Sequence, residues 1–507
     1  MYDQVINIIQ AIERDCDPAN TQYIGVNYWP IVRLRLWSAI AKRLIIDRKA
    51  AGADNVTNTA PQWKNVDAVD AVQFGPQETG LLRAPKSEAR ITLDDSALNP
   101  DMLFFVRPEE HGDNVSGHRF AKILDSLQAL TRPRFSCAKI EFADMKTMEF
   151  RRYFPSMFIA PQMASGNIAF DPPGQLERFD DVTMAIARHD PDAATLPSLS
   201  RDAIATDIGK IFYFARVFEN ALNTLKPKAL FLSVYYHPVG MAWMLACRRA
   251  GIATIDMQHG RLGPIHGMYT HMNNAPRGGY DLMPDRIWCW GPKTKHDIEV
   301  DLNPECARHR GIVGSNPWLY TWRHGAIAGL TPADFDEFAT SVADRHKILV
   351  SLQPLESPLG PELITAMKSS PSHWIWLLRL HPLRRHTAPE IERMLDRAGI
   401  ANFNIEQATA YPLFALLRIV NHHVTVFSSV VVEAAAFGVR TCLIGTEGRD
   451  IFSPQIEKGI CTFTPTAETL LAAIKHAADD PRLPPSDDFI DLSEGTVERA
   501  LSEIMAA

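Results

Sequence analysis

Cysteine is scarce in this sequence, and its few copies follow no pairing pattern. Seven occur in 507 residues: Cys16, Cys137, Cys247, Cys289, Cys306, Cys442 and Cys461, with no CxxC pair among them. An odd, scattered set excludes a disulfide framework or a zinc knuckle as the organising device and points to a reducing compartment. Long apolar runs are missing too; none approaches the roughly 20 residues of a spanning helix. The opening stretch "MYDQVINIIQAIERDCDPAN" lacks the basic start, apolar middle and small-residue end of a signal peptide. A cytoplasmic protein is expected, with at most peripheral contact at the inner membrane face. Basic excess is absent as well. The formal net charge of −7 argues against a general nucleic-acid binder, so any anion must be recognised locally. No Walker A, no GxGxxG after a strand, no HExxH and no GxSxG elbow occurs. The DxD spellings Asp190-Pro191-Asp192 and Asp334-Phe335-Asp336 follow no clear strand, so no metal ligand and no cofactor is assigned.

What the chain does have is alternation. At 507 residues it exceeds a single hydrophobic core, and from residue 101 short apolar runs alternate with helical spacing. "MLFFV" (102–106), "CAKIEF" (137–142), "ALFLSVYY" (229–236), "ATIDMQHG" (253–260) and "RIWCWG" (286–291) read as strands, with helices over 203–225 and 238–250. A second series starts near 346 with "KILVSLQP", "WIWLLRLHP", "HVTVFSS" and "TCLIG". Strand–helix alternation implies βαβ units and parallel sheets. The expected division is an N-terminal Rossmann-like domain over 1–325, a C-terminal one over 340–485, and a tail over 486–507 packing back on the first. Residues 50–100 read as an insertion with short strands near 71–74 and 89–93. The basic stretch 29–49 (Arg33, Arg35, Lys42, Arg43, Arg48, Lys49) is either an interfacial helix meeting anionic lipid or a core helix whose cations reach solvent.

In doubly wound sheets ligands bind outside the carboxyl ends of strands, so the residues that end strands carry the functional reading. His381-Pro382 ends one strand, followed by Arg384 and Arg385, a locally basic segment suited to phosphate. Ser428 and Ser429 end the next and lead into a helix, whose start favours anions. Glu433 follows Ser429 by four residues on the same helix face, one residue too far for a capping box, and suits the hydroxyls of a ribose. In the first half Gln258 and His259 end a strand before Gly260, and a neutral histidine there is a candidate base. Tyr236-His237-Pro238 ends the strand before it.

The joint order of "QHG", "RLHP" and "FSSVVVEAAAFG" resembles glycosyltransferases of the GT-B fold, in particular bacterial surface-polysaccharide enzymes: CDP-glycerol glycerophosphotransferases, polysialyltransferases and capsule Kdo transferases. The resemblance implies an α/β chain of two facing Rossmann-like domains with a cleft between them. It implies His259, beside Gln258, at the reaction centre, and His381, Pro382, Ser428 and Ser429 on the nucleotide phosphate with Arg384 beside them. Glu433 is then on the ribose. A glutamate replaces the aspartate that usually follows the serines in glycerophosphotransferases, and "QHG" replaces their tryptophan-histidine-glycine turn. Both changes point from CDP-glycerol toward a nucleotide sugar, a CMP-activated acidic sugar among the options. The expected function is metal-independent transfer of a sugar from a nucleotide-sugar donor to a glycan or lipid-linked acceptor. The alternatives are a UDP-sugar 2-epimerase of the same fold and a degenerate GT-B domain serving as a scaffold.

Overall fold

The computed structural model describes residues 2–50, 81–83, 99–142, 150–159, 175–260, 262, 266–327, 329–353, 359–477, 483 and 488–506. The strands expected near 71–74 and 89–93 lie outside the described residues. The chain divides into two compact units: Met1–Pro317 with Gly495–Ala507, and Trp318–Glu494. The division falls inside "GSNPW".

Unit one is built on strands β1 (Met102–Val106), β2 (Cys137–Phe142), β3 (Met157–Ile159), β4 (Ala229–Ser233), β5 (Ala253–Met257), β6 (Arg286–Cys289) and β7 (Arg310–Val313). They lie in the order β7-β6-β5-β4-β1-β2-β3, all parallel, with a short antiparallel strand Leu81–Arg83 beyond β3. β1 and β4 are buried over five consecutive residues because both faces are covered. Phe218 of helix α1 (Arg201–Leu225) stacks on Trp243 of α2 (Pro238–Ala250) at 3.9 Å between ring centroids, which seats this helix pair over Phe105 of β1.

The basic stretch forms helix Trp29–Ala50, whose described part is a core helix. Trp29, Val32, Leu36 and Ile40 are buried, and so is Arg33, which pairs with Glu13 and donates to Gly267 O at 2.6 Å and Thr270 O at 2.9 Å. Arg35 pairs with Asp207 at 2.7 Å and Arg43 with Asp190 at 2.5 Å. These cations are spent on internal acids. Among the described residues no helix is long and apolar enough to cross a membrane.

Unit two repeats the plan with β8 (His346–Ser351), β9 (Trp374–Arg379), β10 (Phe403–Asn404), β11 (His422–Thr425), β12 (Arg440–Leu443) and β13 (Cys461–Phe463). The order is β10-β9-β8-β11-β12-β13, all parallel. Numbering from its first strand, this is 3-2-1-4-5-6, the doubly wound Rossmann order, and unit one follows the same order with a seventh parallel strand added. Each sheet therefore reverses its winding at one point: between β1 and β4 in unit one, and between β8 and β11 in unit two. A crevice opens there at the carboxyl ends of the strands. The helix Thr496–Ala506 returns to unit one and buries Val497, Leu501 and Ile504.

Candidate functional site

Side chains tie the two strands together at each reversal point. In unit two the Thr425 hydroxyl at the end of β11 donates to Ser351 O at the end of β8, at 2.9 Å, and accepts from the Ser428 amide at 3.3 Å. His423, buried one turn of pleat below, sits between Ser351 Oγ (2.9 Å) and Thr441 Oγ1 (3.0 Å). Burial pushes its pKa down to about 3, so it is a neutral strut.

The loop after β11 carries the serine pair. Ser428 is half-buried and Ser429 exposed. The sequence makes Ser429 the helix cap, but its backbone is already helical and its side chain caps nothing. Ser428 does that work instead, accepting from the Val430 amide at 3.3 Å. The helix that follows, Val430–Ala436, is only seven residues long; its dipole is small, and the hydroxyls matter more than the dipole expected from sequence. The segment "GTEG" (445–448) buttresses this loop. A Cβ on Gly448 would lie 1.9 Å from Val426 O, so only glycine lets the next helix press against the turn.

Glu433 lies one turn along that helix, on the residue spacing that shares a face with Ser429. It is half-buried, and its Oε2 has no hydrogen-bond partner. Burial raises its pKa above the ordinary carboxylate value. A carboxylate oxygen withdrawn from water without a donor is costly.

His381 stands at the end of β9, on the other side of β8 from the serines. Two strand spacings separate the loops, about 10 Å along the sheet edge. His381 begins a turn closed by the Arg384 amide on His381 O at 2.8 Å, and residues Pro382–Thr387 form a 3-10 helix. Arg384 is half-buried, while Arg385 and His386 are exposed. Arg379 ends β9 itself and is turned into the unit, donating to Ala408 O (2.9 Å) and Tyr411 O (2.6 Å).

In unit one β4 is followed by Val234, whose φ of 66° is left-handed. A β-branched residue rarely adopts this conformation, at a cost of about 1–3 kcal/mol. The turn feeds Tyr235, Tyr236 and His237 directly into α2. His237 caps that helix, its Nδ1 accepting from the Gly240 amide at 3.2 Å. A Cβ on Gly240 would lie 2.4 Å from Tyr235 O, so glycine again permits the closure.

His259, after β5, is half-buried against this turn. Its Nδ1 lies 3.3 Å from Met257 O and its Nε2 3.3 Å from the Tyr236 hydroxyl. A carbonyl can only accept, so Nδ1 carries the hydrogen and the Nε2 lone pair faces the phenol. Burial lowers the His259 pKa to about 4: at neutral pH it is an unprotonated imidazole. Gln258 plays a different part from the reacting one expected. Its Oε1 accepts from the Trp290 amide (2.7 Å) and its Nε2 donates to Gly260 O (2.9 Å), so both polar ends are spent bracing the turn.

Sequence reading missed the carboxylates behind this turn. Glu110, in the loop after β1, accepts from the Ser233 hydroxyl of β4 and pairs with Arg107, thereby bridging the reversal point; burial raises its pKa. Asp256 is fully buried on β5, accepts from the Tyr269 hydroxyl at 2.6 Å, and burial pushes its pKa up to about 8. His266 packs between Trp37 and Tyr269 and is held neutral by burial. "RPEEH" directly after "MLFFV" was the available signal for Glu110, since it too ends a strand. Asp190 of the first DxD is occupied by Arg43 and by the Ala193 amide.

No protein-family model matches this sequence, and no curated protein does either. Among solved structures, the UDP-GlcNAc 2-epimerase of Neisseria meningitidis bound to UDP-GlcNAc is similar at 10% identity, covering 80% of this chain and 98% of that one with a TM-score of 0.45. The UDP-GlcNAc 2-epimerase of Methanocaldococcus jannaschii is 14% identical over 80% and 99%, with a TM-score of 0.46. Anabaena HepE, in complex with UDP and glucose, is 13% identical over 80% and 95%, with a TM-score of 0.33.

Proposed function

We propose that this chain is a GT-B enzyme acting on a nucleotide-activated sugar, with the nucleotide held by unit two. The observation that carries the reading is Glu433: a half-buried carboxylate with an unpartnered oxygen, one turn from two hydroxyls at the carboxyl edge where the sheet reverses. Ser428 and Ser429 would meet phosphate oxygens, Glu433 the ribose hydroxyls, and His381 with Arg384 further phosphate charge. Such donors stabilise a departing phosphate without a metal ion.

Within that reading we propose sugar transfer to an acceptor hydroxyl, a surface glycan or lipid-linked glycan as the acceptor class. His259 supports it: a neutral imidazole with its basic nitrogen presented by a phenol is suited to take a hydroxyl proton, and Gln258 positions the turn that holds it. The second reading is nucleotide-sugar epimerisation, the activity of the Neisseria and Methanocaldococcus proteins above.

Two experiments test these readings. A thermal-shift screen with CMP, CDP, UDP, GDP and their sugars is expected to pick out one nucleotide; at 100 times its dissociation constant it adds about 2.7 kcal/mol. No shift with any of them removes the nucleotide reading. Incubation with the selected nucleotide sugar alone then separates the activities: a new epimer without acceptor establishes epimerisation, and turnover that requires an acceptor establishes transfer.

A further inference from the structure

A second polar pocket lies in unit one beyond the loop after β1. It encloses about 200 Å³ and is lined by Pro108, Glu109, His111, Arg119, Phe150 and Arg152. We propose that it is a subsite for a sugar bearing a carboxylate or phosphate group, with Arg119 and Arg152 on the anion and His111 on a neighbouring hydroxyl. Its assignment to the acceptor rests on the transfer reading above; its existence as a binding site does not.

Three features of the pocket support this. Arg119 and Arg152 pair as adjacent residues of a short parallel bridge, and like charges directly opposite one another repel unless an anion lies near. Arg152 has one: its Nε donates to both oxygens of Glu141, at 2.8 and 2.9 Å. Arg119 has none among the described residues; its guanidinium lies 4.7 Å over the ring of Phe150, itself 44% exposed. The other pocket carboxylate, Glu109, is engaged by Arg107 at 3.1 Å.

His111 supplies the second feature. It is only 8% exposed, its Nε2 lies 3.0 Å from fully buried Glu141, and its Nδ1 has no partner. Hydrogen bonds and cations hold the Glu141 pKa near 2 against its burial, so Glu141 accepts and Nε2 carries the hydrogen. Nδ1 is then a buried nitrogen in the pocket wall without a partner, and a sugar hydroxyl beside the anionic group, able to donate or accept, provides one. Ser156 also donates to Glu141, which fixes the carboxylate and hence the ring. The third feature is position: the pocket adjoins the carboxyl end of β1, two strand spacings from that of β5, about 10 Å, which a short glycan spans.

Calorimetry on the full chain with glucuronate, glucose 6-phosphate, glucose and inorganic phosphate tests the proposal. Glucuronate or glucose 6-phosphate, or both, should bind about tenfold or more tighter than glucose, the contribution of one charge-assisted contact; which one does so identifies the anionic group. Arg119→Gln should remove that advantage while leaving the melting temperature in place, and His111→Asn should weaken both acids. The proposal is overturned if the acids bind no tighter than glucose, if inorganic phosphate binds as tightly as the sugar phosphate, or if Arg119→Gln binds like the wild type. Nucleotide titration of the same protein separates the two readings. Nucleotide binding without sugar-acid binding removes the subsite alone, and the reverse removes the nucleotide reading alone.

Discussion

Replacing Glu433 by methionine should make the free protein more stable and the nucleotide complex weaker. Methionine keeps the length and helix propensity of glutamate and removes the charge. In the free protein the carboxylate is half-buried with Oε2 unpartnered. A buried polar group left without a partner costs about 1–3 kcal/mol; partial exposure puts Glu433 near the low end, about 1 kcal/mol. Released in the variant, that raises the melting temperature of a domain of this size by about 2–4 °C. The sign follows from its titration. A pKa raised by burial means that the stability is greatest with the acid protonated and is lost as pH rises through the folded pKa. The variant's advantage should therefore be present at pH 7 and vanish well below the unfolded value of 4.5. Ribose hydroxyls donating to an ionised acceptor contribute about 1.5–3 kcal/mol each, so the same substitution should weaken nucleotide binding by about 10–150-fold per bond lost. Calorimetric melting and nucleotide titration of both proteins measure the two effects. A variant that melts lower and binds nucleotide as before would show that Glu433 is a structural residue, and the ribose assignment would fall.

Gly448→Ala should cost about 1–3 kcal/mol by overpacking, because its Cβ meets Val426 O; by displacing the serine turn it should also weaken nucleotide binding, read by the same titration. His259→Gln should lower turnover about 10²–10⁴-fold, the range for a lost general base, with substrate binding retained; unchanged turnover removes it from the reaction. With a free-enzyme pKa near 4, the acid limb that His259 contributes to kcat/KM should lie near pH 4 rather than 6.5. Stability should fall between pH 6.5 and about 4, because the buried histidines 237, 259, 309, 422 and 423 stay neutral in the folded state while the unfolded chain takes up protons. Each contributes a slope of about 1.4 kcal/mol per pH unit, so urea midpoints that stay level from pH 7 to 5 would contradict their burial.

The strands were legible because both faces of each sheet are covered, which writes them as unbroken apolar runs such as "MLFFV" and "WIWLLR". Helix Pro238–Ala250 was equally plain, with proline at its first position and glycine after its last. Strand order was not, because it depends on pairing between distant segments: nothing in the spelling of residues 102–106 says that they lie between 229–233 and 137–142. The strand-end rule singled out His259, His381 and the serines as candidates, yet it passed over Arg107, Glu110 and His111, which also follow a strand. Their partners, Ser233 and Glu141, are far along the chain, and a carboxylate's burial is a tertiary fact. For Gln258 sequence supplied the place and not the role, since an amide aimed at a substrate and one bracing a turn have the same spelling.

The two reversal points suggest why so much polar material sits in so apolar a frame. Each sheet closes its reversal with a hydroxyl bond between the flanking strands, Ser233 to Glu110 in unit one and Thr425 to Ser351 in unit two. Each also presses a glycine-bearing helix onto the turn beside it, through Gly240 and Gly448. These devices make the strand ends rigid, and rigidity is what an unpartnered group needs if it is to stay withdrawn from water until a ligand arrives. Glu433 Oε2 and His111 Nδ1 are both in that position, one in each unit. His111 also holds buried Glu141 through Nε2, so its cost shows in ligand binding and not in melting. For Glu433 melting decides: if Glu433→Met raises the melting temperature, the chain is keeping a costly group for binding; if it lowers it, Glu433 belongs to the frame.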